Sequence, residues 1–398
     1  MSRIAFSLFL AGIVLALPAR ADPLDAVAGK ALFDRRWVQA PASTKSADGL
    51  GPLFSAQACA TCHKAGGPAR FVETEDGLGS LGLVVRLGTD KGVPDPFYGR
   101  QIQERAIPGL VPEARVRPRL ASAVSLRLMQ IEADLDLTGP ALGKGVHKEL
   151  RAAPSLRGRG LIAEVDAAAI LALADPEDRD KDGISGRARM LPDGKGGVML
   201  GRFGLKAGRA SIADQAADAA SLDMGLSSPF HPLPQGDCTA VQTDCALRAG
   251  PDKAEIGDQS IELIAIFVAT LQRPPVPNDP KGEALFAKAG CTQCHVPSLP
   301  KAQGGEAAIF SDLLLHDMGE GLSGRIGDGD VDPAEWRTAP LIDLAQRPQA
   351  RRYLHDGRAG SIEEAILWHG GEAEASRNTF QALGAEERKA LIDYVSRL

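Results

Sequence analysis

The 398-residue sequence predicts a mainly α chain, with two helical domains on either side of a loop-rich middle segment. Three observations carry that expectation. The string C-x-x-C-H occurs once in each half, at Cys59-Cys62-His63 and at Cys291-Cys294-His295. Each is preceded by G-x-A-L-F, Gly29 to Phe33 at a distance from the first and Gly282 to Phe286 directly before the second, which reads as a short lead-in helix. At the C-terminus, Leu391, Tyr394, Val395 and Leu398 recur at helical spacing behind Gly384, an amphipathic closing helix.

The composition narrows the function classes. The chain is 44% hydrophobic, enough for real cores and against wholesale disorder. No apolar run of membrane-spanning length occurs beyond the N-terminus, so an integral membrane protein is not expected. The net charge of −6 argues against a nucleic-acid partner, because phosphate binding requires a basic face.

Residues 1–21 read as a signal peptide. Arg3 precedes an apolar run from Ile4 to Leu17, and Ala19-Arg20-Ala21 forms an A-x-A cleavage site. A membrane anchor is the rival reading, but the run is short for a span. Loss of Arg3 and Arg20, the only charged residues there, takes the net charge from −6 to −8. The expected destination is the periplasm, an oxidising compartment.

Residues 22–160 would form the N-terminal haem domain, and 281–398 the C-terminal one, both cytochrome c-like. The reason lies in the motif: two thiols three residues apart can attach to both vinyl groups of one porphyrin, while the next imidazole reaches its iron. A thioredoxin-like thiol pair gives no reason for the following histidine, and a zinc site is a weaker rival because the motif repeats whole. Cys59, Cys62 and His63, and Cys291, Cys294 and His295, are thus expected to bind two covalent c-type haems, with His63 and His295 on iron.

The middle segment, 161–280, carries two features. Asp178, Asp180, Asp182 and Gly183 match the front of a calcium loop, although position twelve is Arg189 where an EF-hand has glutamate. Calcium there and an acidic surface turn are both open. Cys238 and Cys245 would close a short structural disulfide contributing about 2–3 kcal/mol by loop entropy. Their spacing is not that of a redox-active pair. The Pro-rich run 273–280 reads as the linker into the last domain.

The C-terminal third, with Phe310 to Gly319, Trp336 to Leu341, Tyr353 to Gly357 and Ser361 to Gly371 in order, resembles the bacterial di-haem cytochrome c peroxidases. It also resembles the di-haem enzyme that matures methylamine dehydrogenase (MauG). It looks closest to the di-haem oxidoreductase family, members of which are described as peroxidases and sometimes as thiol oxidoreductases.

That resemblance implies a periplasmic peroxidase-like oxidoreductase with a reactive N-terminal haem and an electron-relaying C-terminal haem. Its partners would be peroxide or a related small oxidant and a donor protein, either a small cytochrome c or a cupredoxin. Two alternatives stand beside it: a di-haem electron-transfer protein without peroxidase activity, and a MauG-like oxidative modifier of a partner protein. The candidates for the sixth ligand of the second haem are His316, Met318, His355 and His369. The relatives carry Met or Tyr at about the place of His369, on a helix opened by the capping box Ser361-Glu364, so His369 is expected and Met318 is second. Residues 97–107 resemble a stretch of the relatives that places Gln and Glu ten residues apart beside the reactive haem; Gln103 and Glu113 have that spacing and would be the catalytic pair. His147 and Met224 are the residues that could instead close this site.

Overall fold

Helix α1 (Pro23–Asp34) begins on Asp22, whose side chain accepts a hydrogen bond from Leu24 N, with proline in the first turn. It crosses α4 (Asp258–Thr270) backbone to backbone at Gly29, where a Cβ would collide with the Leu263 carbonyl. Helix α5 (Pro280–Lys288) crosses α7 (Ala385–Val395) closely at Gly282, where a Cβ would meet the Tyr394 side chain. The glycine of each G-x-A-L-F string is therefore a crossing point, and the phenylalanine four residues on is buried beside it. The computed structural model describes residues 22–74, 77–122, 128–233, 235–248, 254–345 and 352–398.

Two cores result. The first gathers Phe33, Trp37, Leu50 and Phe54 with Ala213, Ala217 and Met224 of α3 (Ile212–Met224) and Ile261, Ile264 and Val268 of α4. Segments nearly two hundred residues apart thus enclose the first motif. The second core joins Leu285, Phe286, Phe310 and Phe380 with Ile362 of α6 (Ile362–Leu367) and Leu391, Tyr394 and Leu398.

Strands account for the rest. β1 (Arg70–Thr74) pairs with β2 (Gly77–Leu81), β3 (Leu83–Gly88) with β6 (His147–Ala152), and β4 (Ala114–Ser122) with β5 (Met129–Leu137), each pair antiparallel. The β4–β5 ribbon alternates apolar Val116 and Leu135, directly opposed, with the exposed ion pairs of Arg117 with Asp136 and Arg119 with Glu132. In the second half β7 (Leu315–Asp317) pairs with β8 (Glu335–Arg337).

The expectation of a mainly α protein with two cytochrome c-like haem domains and a loop-rich middle is thereby corrected. The chain is about 31% helical and 20% strand, in several small sheets. The physical reason is length. Most strands have two to six residues, too few to establish a period of two, and Arg-rich alternation in β4 masks its one apolar face. The region 1–21, with the expected signal peptide, lies outside the described residues. No helix among the described residues is long and apolar enough to cross a membrane.

Candidate functional site

A cavity of about 710 Å³ is lined by both motifs, Cys59, Cys62 and His63 from one and Cys291, Cys294 and His295 from the other. The first motif opens a four-residue helix, α2 (Cys59–Cys62), closed by His63 N donating to the Cys59 carbonyl at 3.0 Å. Burial, then the nearby Asp223 carboxylate, pushes the thiols of Cys59 and Cys62 up to about 12; burial does the same for Cys291. With nothing bound, such groups stay neutral thiols.

Burial pulls His63 down to about 4, so its imidazole is neutral, and its Nδ1 is buried without a hydrogen bond. His295 is likewise pulled down to about 4 by burial, and its Nδ1 lies 3.0 Å from the Phe310 carbonyl. Donation to that oxygen fixes the tautomer and leaves Nε2 with a free lone pair. His369 repeats the device. Its Nδ1 lies 2.8 Å from the Ala365 carbonyl one turn back, burial lowers its pKa, and its charged form would repel that of His295. Both rings line the cavity.

The other sequence candidates are held differently. His316 is 3% exposed and gripped at both nitrogens, Nε2 at 2.9 Å from Asp312 Oδ2 and Nδ1 at 2.6 Å from Glu372 Oε2. Burial opposes its charge, but the two carboxylates and the Cys294 sulfur raise it to about 12, so it is an imidazolium with no lone pair for a metal. His355 stacks on Trp336 with centroids 4.0 Å apart, and burial pulls it down to about 3. Met224, Met318 and Trp336 line the cavity, whereas His147 is not among its described lining residues.

The His316 clamp carries a pH dependence. Its raised pKa contributes stability that is full below 6.5, the ordinary histidine value, and declines as pH rises from there toward 12. Despite burial, His316 holds the Glu372 carboxyl below its ordinary 4.5, which contributes stability that is full above 4.5 and lost as pH falls through the lowered value. Thermal unfolding of Glu372→Gln against the parent is therefore expected to show its largest loss between about pH 4.5 and 6.5; a loss growing toward pH 9 would contradict the clamp.

An internal repeat escaped the sequence reading. Residues 203–216 and 353–366 match in backbone and capping at a constant offset, Ser361 standing 150 positions after Ser211. Phe203 bridges Arg209 as Tyr353 bridges Ala359. Left-handed residues fall at Gly204 and Ala207 in one copy and Leu354 and Gly357 in the other. Ser211 caps α3 through Asp214 N as Ser361 caps α6 through Glu364 N. The copies interlock with the opposite halves: the Leu205 carbonyl accepts from Arg337 N and the His355 carbonyl from Ala152 N. Ile212, Gln215, Ala216 and Ala219 of α3 line the cavity, and so do Ile362, Ala365, Ile366 and His369. At the repeat position of His369 the first half carries Ala219. The shared G-R-A-S and G-R-A-G-S strings were the available signal; a one-residue shift between them and the two different side chains concealed it.

Gln103 and Glu113 are brought together but are not among the described lining residues. Gln103 N donates to Glu113 Oε2 at 2.7 Å, Ser55 Oγ donates to Gln103 Oε1 at 2.7 Å, and Gln242 Nε2 donates to Glu113 Oε1 at 2.7 Å. Burial raises Glu113 to about 8. Gln242 lies in the loop closed by the disulfide between Cys238 and Cys245, with Cα atoms 6.2 Å apart. Asp237, just before that loop, grips the segment before Gln103 by accepting from Arg100 N and Gln101 N. Asp178, Asp180 and Asp182 bring carboxylate oxygens within 4.8 Å of one another on an exposed turn. Asp178 accepts from Gly183 N there.

The cavity wall fits an anionic planar group. Arg159 and Arg337 line it, lowered by burial to about 10 and about 9, and among the described residues each donates only to backbone carbonyls. Arg86 lines it with its Nε buried and unpaired. Buried guanidinium groups without carboxylates are costly unless the cavity's occupant brings the anions, and haem propionates are such anions. The neutral imidazoles and the buried Arg159, which no carboxylate faces, agree with a haem in this cavity.

The family described as "Di-haem oxidoreductase, putative peroxidase" matches residues 132–398. No curated protein matches the chain. Among solved structures, a chain of the Kuenenia stuttgartiensis hydrazine synthase pressurised with 20 bar xenon aligns at 19% identity over 61% of this chain and 87% of its own, with a TM-score of 0.26.

Proposed function

The chain belongs to the di-haem oxidoreductase family, and from that premise we propose that it is a periplasmic peroxidase-like enzyme with two unequal haem sites. When bound, the haems supply one-electron redox chemistry and, at an iron with a free position, reaction with peroxide. Cys59 and Cys62 hold one haem by thioether bonds, and Cys291 and Cys294 the other. His63 would ligate the first iron, and His295 and His369 the second, each of these two held by a backbone carbonyl at Nδ1 that leaves the lone pair of Nε2 available. Two imidazoles close that iron to substrate and suit it to relaying electrons from a donor protein, a small cytochrome c or a cupredoxin.

The observation that carries the reading is the pair Ala219 and His369 at one repeat position, both lining the cavity. A methyl group cannot ligate, and Met224, the other cavity-lining candidate on that helix, is packed into the first core with Phe33 and Ile261, so the first iron would keep a position for peroxide. Arg86, Arg159 and Arg337 hold the propionates, and Gln103 and Glu113 support the wall from behind. Met318 lines the cavity too, but it has no counterpart of the carbonyl hold that orients His369. The acidic turn at Asp178, Asp180 and Asp182 would take calcium as a structural ion, tied to the second site through the hydrogen bond from Ser185 Oγ to Glu372.

Ala219→His tests the reading. The oxidised variant is expected to lose its high-spin signal as the new imidazole closes the first iron, and peroxide consumption should fall at least about 100-fold, since only a vacant position can react. A variant that keeps the parental high-spin signal would contradict it.

A further inference from the structure

Of the α3 residues that line the cavity, Ile212, Gln215, Ala216, Ala219 and Asp223 fall at the 3, 1, 3 and 4 spacing of a single helical stripe, with Asp218 and Met224 at its margin. On that stripe Gln215 stands one turn before Ala219 and Asp223 one turn after. We propose that Asp223 is the group that moves the proton of a peroxide bound in the first site, with Gln215 as the amide that orients it. This assignment rests on the reading that Ala219 leaves that site open.

The surroundings of Asp223 are built to hold one carboxylate oxygen and leave the other available. Gln101 Nε2 donates to Oδ1 at 2.9 Å, and the same amide donates to Ser55 Oγ at 3.0 Å. Ser55 Oγ in turn donates to Gln103 Oε1, and Gln103 N to Glu113. The backbone is pinned as well, because Ser55 N and Ala56 N donate to the Asp223 carbonyl at 2.8 and 3.0 Å. Oδ2 takes no hydrogen bond from a described residue. The charged groups facing the carboxyl are Arg86 of β3, Arg100 beside Gln101, and Asp218 of its own helix, while Cys59 and Cys62 feel its charge from α2. Burial raises its pKa in spite of the two arginines, toward the range where a carboxyl both takes and returns a proton. The amides in the chain behind it cannot pass protons readily. Gln101, Ser55, Gln103 and Glu113 therefore position Asp223, which gives the sequence-predicted pair a role one layer behind the reacting atoms.

The step balances. Overall, peroxide takes two electrons from the donor protein and two protons from solvent and leaves as two waters. Asp223 would accept the proton of one peroxide oxygen and return it to the other, so that the O–O bond breaks with water as the leaving group.

Cyanide tests this without turnover, because hydrogen cyanide must give up its proton as it binds ferric iron. In the oxidised full-length holoprotein, mixed with potassium cyanide at pH 7 and followed at the Soret band, Asp223→Asn is expected to bind about 10²–10³-fold more slowly, the usual worth of a positioned base. Asp223→Glu, which keeps a carboxyl, should recover most of the rate, and Gln101→Leu should lose part of it. A high-spin Asp223→Asn protein that binds cyanide within threefold of the parental rate overturns the assignment and leaves the ligation reading intact. Should Asp223→Asn yield no holoprotein, a Gln101→Leu protein at the parental rate overturns it equally. A parent whose irons are both low-spin before cyanide is added contradicts the ligation reading, and the assignment falls with it.

Discussion

Replacing His369 with alanine is expected to turn the second haem from low-spin and six-coordinate to high-spin, while the first haem keeps its spectrum. The argument is one of supply. His295 and His369 are the two rings of the second site whose Nδ1 is engaged by a backbone carbonyl and whose Nε2 is left bare. His316 is an imidazolium held between Asp312 and Glu372, and His355 lies flat on Trp336. Loss of the ring leaves Met318 as the remaining lining ligand. Turnover with a reduced donor protein should fall by more than about 10–100-fold, the cost of disturbing outer-shell partners alone. Capture of the iron by Met318 would appear as a low-spin centre of higher potential, since thioether ligation raises it. An unchanged spectrum in the variant would remove His369 from the metal.

The second large effect concerns attachment. Cys59→Ser with Cys62→Ser is expected to halve the covalently bound haem, read as the pyridine haemochrome of acid-acetone-extracted protein, and to abolish peroxide consumption. Cys291→Ser with Cys294→Ser should also halve the haem but leave an iron that still binds cyanide, because the first site is intact. The asymmetry follows from the two halves: each motif carries its own thiols and histidine, but the cavity stripe of α3 lies with the first. Substantial loss of fold in both variants is avoided by the separate cores, Phe33 and Ile261 in one and Phe286 and Leu391 in the other. Equal loss of cyanide binding in the two variants would contradict the unequal sites.

Much of this was legible in the chain. The C-x-x-C-H strings, the G-x-A-L-F lead-ins and the capped helix before His369 are local patterns, and local patterns survive in sequence. The sheets were not legible, because pairs as short as Leu315–Asp317 with Glu335–Arg337 are set by neighbours far along the chain. The wall of the first site was hidden for the same reason. Asp223 reaches Gln101 across 122 residues, and nothing near Asp223 in sequence announces chemistry. Gln103 and Glu113 were found by the resemblance of residues 97–107 to the related peroxidases and by their ten-residue spacing, neither of which says which of two buried layers a side chain occupies. The repeat that relates Ala219 to His369 spans different residue types, so it becomes visible when capping serines, bridges and left-handed positions are compared in three dimensions.

On the proposal made here, one open and one closed iron share a chain. Low-temperature electron paramagnetic resonance of the oxidised protein, before and after cyanide, is the decisive measurement. One high-spin and one low-spin signal of equal spin count are expected, with cyanide converting the first and leaving the second. Two low-spin signals indifferent to cyanide would contradict it, and would make the protein a carrier of electrons without chemistry of its own.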